Sequence, residues 1–183
     1  MDIITRITRQ RGKMQIAISE QETIVVPLSL FRERPLTEGQ PINLEEYDNW
    51  LMVRQYRHAL DRAVACLAAR AHSKHEIEQK LLRVGYRPCT VEMVLYKLER
   101  EHLLNDADFA RQWVEARSGR KLGRSRIAQE LRRKGIDADE AEEALSAIGE
   151  DDQLADAIAL AEKAAAHAKP DEDPRKTYQR IAA

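Results

Sequence analysis

The hydrophobic positions follow two different periods along the chain, and the first is the period of strands. Residues 14–18 alternate Met or Ile with smaller or polar side chains, which is typical of a half-buried strand. β-branched residues also dominate the segments 3–7 and 23–26. Pro27 ends the last of these runs, because proline has no N–H to donate to a ladder. We predict three short strands in a small antiparallel sheet within residues 1–42.

After a connecting segment marked by Pro35, Gly39 and Pro41, the pattern changes to the period of a helix. From about Asn43 onward, apolar residues recur at intervals of three and four. The pattern predicts a first helix in which one face is buried. The residues predicted on that face are Tyr56, Leu60, Ala63, Val64 and Leu67.

Helix boundaries are well marked in the next segment. Ser73 and Glu76 have the spacing of a capping box, in which each side chain satisfies a backbone N–H at the start of a helix. Gly85 predicts the end of that helix, because glycine adopts the left-handed conformation at little cost. Pro88 is typical of the first turn of a following helix.

The helical pattern repeats after 50 residues. Displacing the sequence by 50 superimposes buried-type positions, a glutamine and the glycine that ends a helix. The matched pairs are Ile77 and Ile127, Gln79 and Gln129, Leu81 and Leu131, Gly85 and Gly135, Tyr86 and Ile136, and Leu95 and Leu145. Stacked helical units of this kind usually present broad binding surfaces rather than deep catalytic pockets.

The predicted fold is mainly α, with tandem three-helix repeats forming an elongated, curved array. A small antiparallel β-rich segment, residues 1–42, precedes the first three-helix repeat at 43–104. A second three-helix repeat follows at 105–149. We expect residues 150–183 to form an incomplete third repeat, because the pattern that starts there stops at Ala183.

The net charge of −1 conceals a segregation of charge along the chain. The 30 basic and 31 acidic side chains give −2 over residues 1–50, +4 over 51–101, +5 over 102–136 and −8 over 137–183. The total excludes a uniformly basic nucleic-acid binder. The hydrophobic content of 43% excludes an acidic disordered chain.

No segment has the pattern of an active site. Residues 119–125 resemble a phosphate-binding loop, but the spacing is one residue short and Arg124 replaces the lysine. Cys66, His72 and His75 lack the paired spacing of zinc ligands. We interpret them as a core cysteine and two surface histidines. The sequence predicts a protein that is not an enzyme and that binds no cofactor or metal.

Membrane insertion and secretion are not expected from this sequence. The apolar run 63–69 is far shorter than the roughly 20 residues that cross a bilayer. The first residues lack the apolar region of a signal peptide. The chain has two cysteines, Cys66 and Cys89, which favours a reducing compartment. We therefore expect a cytoplasmic protein.

A dense basic stretch at residues 117–134 is the strongest candidate for a binding surface. Its net charge is +7, and Glu130 is its only acid. Such a cluster can neutralise phosphates without reading bases. An acidic protein partner or a simple solvated helix face explains it equally well. The candidate residues are Arg117, Arg120, Lys121, Arg124, Arg126, Arg132, Arg133 and Lys134, with Lys80, Arg83 and Arg87 as a weaker second set.

Four segments carry a resemblance to a known family. They read I-T-R-I-T-R-Q (4–10), S-K-H-E-I-E-Q-K-L-L-R-V-G-Y (73–86), L-L-N-D-A-D-F-A (103–110) and G-R-S-R-I-A-Q-E-L-R-R-K-G-I (123–136). In this order they resemble the RecX family of bacterial recombination regulators. One departure is Arg87, which stands where the second repeat has Asp137 and leaves the first repeat without a good N-cap.

The resemblance implies a partner and an activity. RecX proteins are tandem three-helix repeat proteins that bind the RecA recombinase and its filaments on single-stranded DNA. They inhibit its ATPase, strand-exchange and co-protease activities and are not themselves enzymes. The expected partners are thus RecA and the RecA–DNA filament, with single- or double-stranded DNA as a further candidate, and we expect a monomer. Two other functions stay open: a nucleic-acid-binding module that acts without RecA, and a scaffold for an unrelated acidic protein.

Overall fold

The computed structural model describes residues 2–19, 22–120 and 122–146, together with residues 158, 161 and 162. The chain divides into two compact units, residues 1–105 and 106–183. The expected third repeat therefore lies almost entirely outside the described residues, and so does the candidate Lys121. Within the described residues, no helix is both long and apolar enough to cross a membrane.

A four-stranded antiparallel sheet forms the start of the first unit. The strands are β1 (Asp2–Gln10), β2 (Lys13–Ile18), β3 (Glu22–Pro27) and β4 (Pro41–Ile42), in the order β3-β2-β1-β4. The alternating residues of β2 are buried as predicted, with Met14, Ile16 and Ile18 on the core side. The small antiparallel sheet that the sequence predicts is confirmed.

The segment predicted to be only a connection contains two further elements. Helix α1 (Leu28–Glu33) follows β3 and buries Leu30. The two-residue strand β4 pairs with the start of β1, and the N–H of Ile4 donates to the carbonyl of Gln40 at 3.1 Å. Both elements were missed because six and two residues are too few to show a period, and Pro41 is unusual in a strand.

Three helices complete the first unit: α2 (Leu44–Ala69), α3 (Lys74–Val84) and α4 (Pro88–Arg100). Asn43 caps α2, where its side chain accepts the N–H of Glu46 at 3.2 Å. The predicted capping box of Ser73 and Glu76 is present at the start of α3. The core of the unit includes Ile77 and Leu81 of α3 and, from α4, Val91, Val94, Leu95 and Leu98.

The predicted buried face of α2 was partly wrong. The buried residues follow intervals of four and are Tyr47, Leu51, Gln55, Ala59 and Ala63. Val64 is 43% exposed, whereas Gln55 is fully buried. The side-chain oxygen of Gln55 accepts the N–H of Arg87 at the start of α4, at 3.0 Å. A polar residue therefore lies at the centre of the buried face, and a search for apolar residues alone places that face on neighbouring positions.

The second unit repeats this arrangement with α5 (Asp106–Ser118), α6 (Arg124–Arg133) and α7 (Ala138–Ser146). Helices α3 and α6 begin 50 residues apart, as do α4 and α7, and Ile127 and Leu131 are buried like their counterparts in α3. Asp137 accepts the N–H of Asp139 at 3.0 Å at the start of α7. The mainly helical repeat fold is confirmed.

Gly85 lies where the end of α3 approaches the sheet of the first unit. Its φ angle is +101°, in the left-handed region, and its N–H donates to the carbonyl of Leu82 at 3.0 Å. A Cβ at this position would lie 3.1 Å from the side chains of both Lys13 and Val25. Glycine is thus required here twice, by the backbone conformation and by the approach of the sheet.

We expect Gly85→Ala to destabilise the protein more than the matched change Gly12→Ala. Gly12 also has a positive φ, +89°, but open space surrounds the position of its missing Cβ. Left-handed backbone costs a non-glycine residue roughly 1–2 kcal/mol, and only Gly85→Ala must in addition displace neighbouring side chains. Urea unfolding of the two variants measures the difference. Equal losses of unfolding free energy would show that the approach of the sheet is unimportant.

Candidate partner-binding surface

Helix α6 presents an exposed basic face because its apolar side is fully used in the core. Ile127 and Leu131 are completely buried against α5 and α7. The residues on the opposite side are all exposed and line one shallow depression. They are Ser125, Arg126, Gln129, Arg132 and Arg133. We call this set the α6 basic face.

The three arginines of the α6 basic face are available to a partner. Among the residues that the structure describes, Arg126, Arg132 and Arg133 make no ion pair. Ser125 and Gln129 add neutral hydrogen-bonding groups between them. A count of charges does not find these two residues. Ser125, Gln129 and Arg133 follow one another at intervals of four, a spacing that places side chains on one face of a helix.

Two other cations of the basic stretch contact side chains within the second unit. Nε of Arg117 donates to Glu130 Oε2 at 2.7 Å, and the indole N–H of Trp113 donates to the same oxygen at 3.0 Å. The guanidinium of Arg117 also lies 4.2 Å from the centre of the Trp113 ring. Nζ of Lys134 lies 4.0 Å from that ring centre. The only acid of the stretch is thus neutralised by Arg117.

The remaining predicted cations of this stretch have different surroundings. Arg124 pairs with Glu142 of α7 and donates to the carbonyl of Leu145 at 3.3 Å, so it joins the start of α6 to α7. Arg120 is exposed beyond the end of α5. The basic stretch is therefore divided: some cations stabilise the unit, and those of the α6 basic face point outward.

Two residues of the weaker set are engaged within the first unit. Arg87 pairs with Asp48 of α2, and this contact lowers the pKa of the Asp48 carboxyl. Nζ of Lys80 lies 2.7 Å from Nε2 of His72. Arg83 is exposed and makes no ion pair within the described part of the chain. Arg83 is thus the member of this set most available to a partner.

His72 is not the surface residue that the sequence predicts. It is 4% exposed, and its Nδ1 lies 2.9 Å from the carbonyl oxygen of Arg70. An N–H on Nδ1 that donates to this carbonyl leaves Nε2 to accept from Lys80, which assigns the neutral form of the ring. Burial lowers the pKa of His72. No group of three or more potential metal ligands occurs among the described residues.

Family models match both helical units. The model described as RecX, first three-helix domain, matches residues 59–98, and the model described as RecX, second three-helix domain, matches residues 105–145. The α6 basic face lies within the second match.

Relatives named Regulatory protein RecX extend the similarity beyond these domains. The protein of Prosthecochloris aestuarii is 40% identical over 121 residues, which cover 66% of this chain and 78% of the relative. The protein of Clostridioides difficile is 30% identical over 185 aligned positions, which cover 99% of this chain and 86% of the relative. The similarity therefore includes the N-terminal sheet.

Solved structures show the same fold. One, described as the crystal structure of regulatory protein RecX, matches with a TM-score of 0.66 and 22% identity and covers 99% of this chain and 90% of that chain. RecX from Lactobacillus salivarius matches with a TM-score of 0.63 and 25% identity and covers 70% of this chain and 84% of that chain.

The buried His72 predicts a fall in stability on mild acidification. Because the folded protein holds the pKa of His72 below its ordinary value, the unfolded chain binds a proton first as the pH falls. The contribution of His72 is complete above about pH 6.5, the ordinary histidine value, and is lost as the pH falls through the lowered folded value. Urea unfolding between pH 7.5 and 5.5 measures this loss.

His72→Gln should flatten that pH profile. His75→Gln, a change of a half-exposed histidine in the first turn of α3, should leave it in place. Identical pH profiles for His72→Gln and the unchanged protein would contradict the assignment.

Proposed function

Because the chain belongs to the RecX family, we propose that it regulates RecA by binding RecA and RecA–single-stranded-DNA filaments. The main effect we propose is inhibition of the recombinase, ATPase and co-protease activities. The observation that carries this proposal is the match of both three-helix domains in order, within a similarity that spans 99% of the chain. We also propose that the protein acts as a cytoplasmic monomer, by binding rather than by catalysis.

The charge of the α6 basic face supports this proposal. A nucleoprotein filament presents phosphates and protein carboxylates together, and exposed arginines pair with both. Arg126, Arg132 and Arg133 make no ion pair among the described residues, so binding would not require the loss of an internal one. The paired cations Arg117 and Arg124 would act indirectly, by holding α6 in place.

A second candidate function rests on the same face. A row of exposed arginines with neutral hydrogen-bonding neighbours can bind nucleic acid without RecA, through phosphates alone. The similarity to RecX proteins favours RecA regulation, whereas the α6 basic face is compatible with both functions. A scaffold for an unrelated acidic protein has no comparable support.

RecA activity tests the first function directly. We expect ATP hydrolysis by RecA on single-stranded DNA to fall as this protein is added, because binding to the filament would restrict its active conformation. The triple variant Arg126→Ala, Arg132→Ala, Arg133→Ala should inhibit about tenfold less effectively. Arg57→Ala, which removes an exposed arginine from α2, should inhibit normally. Unchanged hydrolysis at stoichiometric amounts of the protein would exclude the proposal.

Salt dependence tests the contact with phosphates. We expect binding to a single-stranded oligonucleotide to weaken as salt rises, with each phosphate contact adding about 0.7 to the slope of log affinity against log salt. The pair Arg132→Ala, Arg133→Ala should therefore reduce the slope by about 1 to 1.5, and Arg57→Ala should not change it. Binding that is absent, or insensitive to salt, would eliminate the nucleic-acid module.

A further inference from the structure

The same groove occurs in both helical units, between the last two helices of each. In the first unit it lies between α3 and α4, and in the second between α6 and α7. Displacement by 50 residues superimposes most of the lining: Leu82 corresponds to Arg132, Val91 to Ala141 and Leu95 to Leu145. We call the version in the first unit the α3–α4 groove.

The α3–α4 groove carries large apolar side chains that the second unit lacks. Met93 is 58% exposed and Tyr96 is 62% exposed, and both line the groove. Their counterparts after 50 residues are Glu143 and Ser146. A helix pair of the same fold thus forms with polar residues at these positions. Packing does not require Met93 or Tyr96, and their exposure points to a partner.

The rim of the α3–α4 groove is acidic. Glu78, Glu92 and Glu99 surround the apolar floor, and Lys74 is the only cation that lines it. Nζ of Lys74 lies 2.7 Å from Glu99. Glu92 makes no ion pair among the described residues. In the second unit its counterpart Glu142 is paired with Arg124, so only the first groove has this carboxylate available.

We propose that the α3–α4 groove binds a protein segment that inserts an apolar side chain between Met93 and Tyr96 and places a Lys or Arg beside Glu92. The acidic rim repels phosphates, which disfavours nucleic acid and anionic lipid as the occupant. An apolar floor within an acidic rim is complementary to an apolar residue next to a basic one. The identity of the partner, RecA, rests on the proposed function.

This assignment divides the two helical units by the chemistry of what they bind. The first unit contacts protein through an apolar, acidic groove. The second offers arginines to phosphates or carboxylates through the α6 basic face. The same position that carries Leu82 in the groove carries Arg132 on the basic face, so one repeated frame supplies both surfaces.

The test replaces the groove residues by those of the second unit. The pair Met93→Glu, Tyr96→Ser should weaken binding to RecA, measured without DNA, by about tenfold or more, as expected when an aromatic anchor is removed. Its affinity for a single-stranded oligonucleotide without RecA should not fall by a comparable factor. Glu92→Gln should weaken RecA binding by a smaller factor, which probes the charge alone. Val53→Ser removes another exposed apolar residue, on α2, and should bind normally.

Each outcome decides a different claim. If the pair variant binds RecA as tightly as the unchanged protein, the groove proposal is wrong while RecA regulation stands. If the unchanged protein does not bind RecA, both fail. If sedimentation shows self-association of the unchanged protein that the pair variant loses, the occupant is a second copy of this chain and the proposal is overturned. Circular dichroism of each variant confirms that the helices are retained.

Discussion

A glycine in the left-handed conformation, after α3 in the first unit and after α6 in the second, is the constraint on which both units depend. Gly85 and Gly135 have φ angles of +101° and +76°, and each reverses the chain between two helices. After this turn, Ile77 and Leu81 of α3 are buried against α4. Ile127 and Leu131 of α6 are buried against α7 in the same way. Burial of these stripes then determines which residues of α3 and α6 face outward. The packing of α3 on α4 and of α6 on α7 therefore determines which side chains form the surface of each unit.

Internal pairing decides which cations can bind a partner. Arg87 joins α4 to α2 through Asp48, and Arg117 joins α5 to α6 through Glu130. Loss of Arg87 would remove the ion-pair partner of Asp48, and loss of Arg117 would leave Glu130 with the indole N–H of Trp113 but without the cation. Either loss affects stability. The arginines of the α6 basic face have no such role within the described residues. A substitution in the basic stretch can thus change stability or binding according to the contacts of each residue.

The two units use one frame for different surfaces. Positions on the exposed sides of the second and third helices are not needed for the core, so they can differ freely between repeats. In the first unit the exposed side of α4 carries Met93 and Tyr96 beside an acidic rim, and in the second unit the exposed side of α6 carries arginines. A repeat fold is suited to this division because each unit forms its own core. Two chemically opposite surfaces can then belong to one regulator without conflict in the packing.

The sequence by itself determined the helices that have strong local signals. The capping box at Ser73, the glycine at position 85 and the 50-residue repeat predicted the fold because caps, turns and buried stripes depend on neighbouring residues. The three longer strands were predicted for the same reason. Only tertiary structure decided what depends on distant residues: the pairing of β4 with β1, the burial of Gln55 and His72, and the division of the basic stretch. Local patterns show where charge is dense, but contacts across the fold decide which charges are already paired.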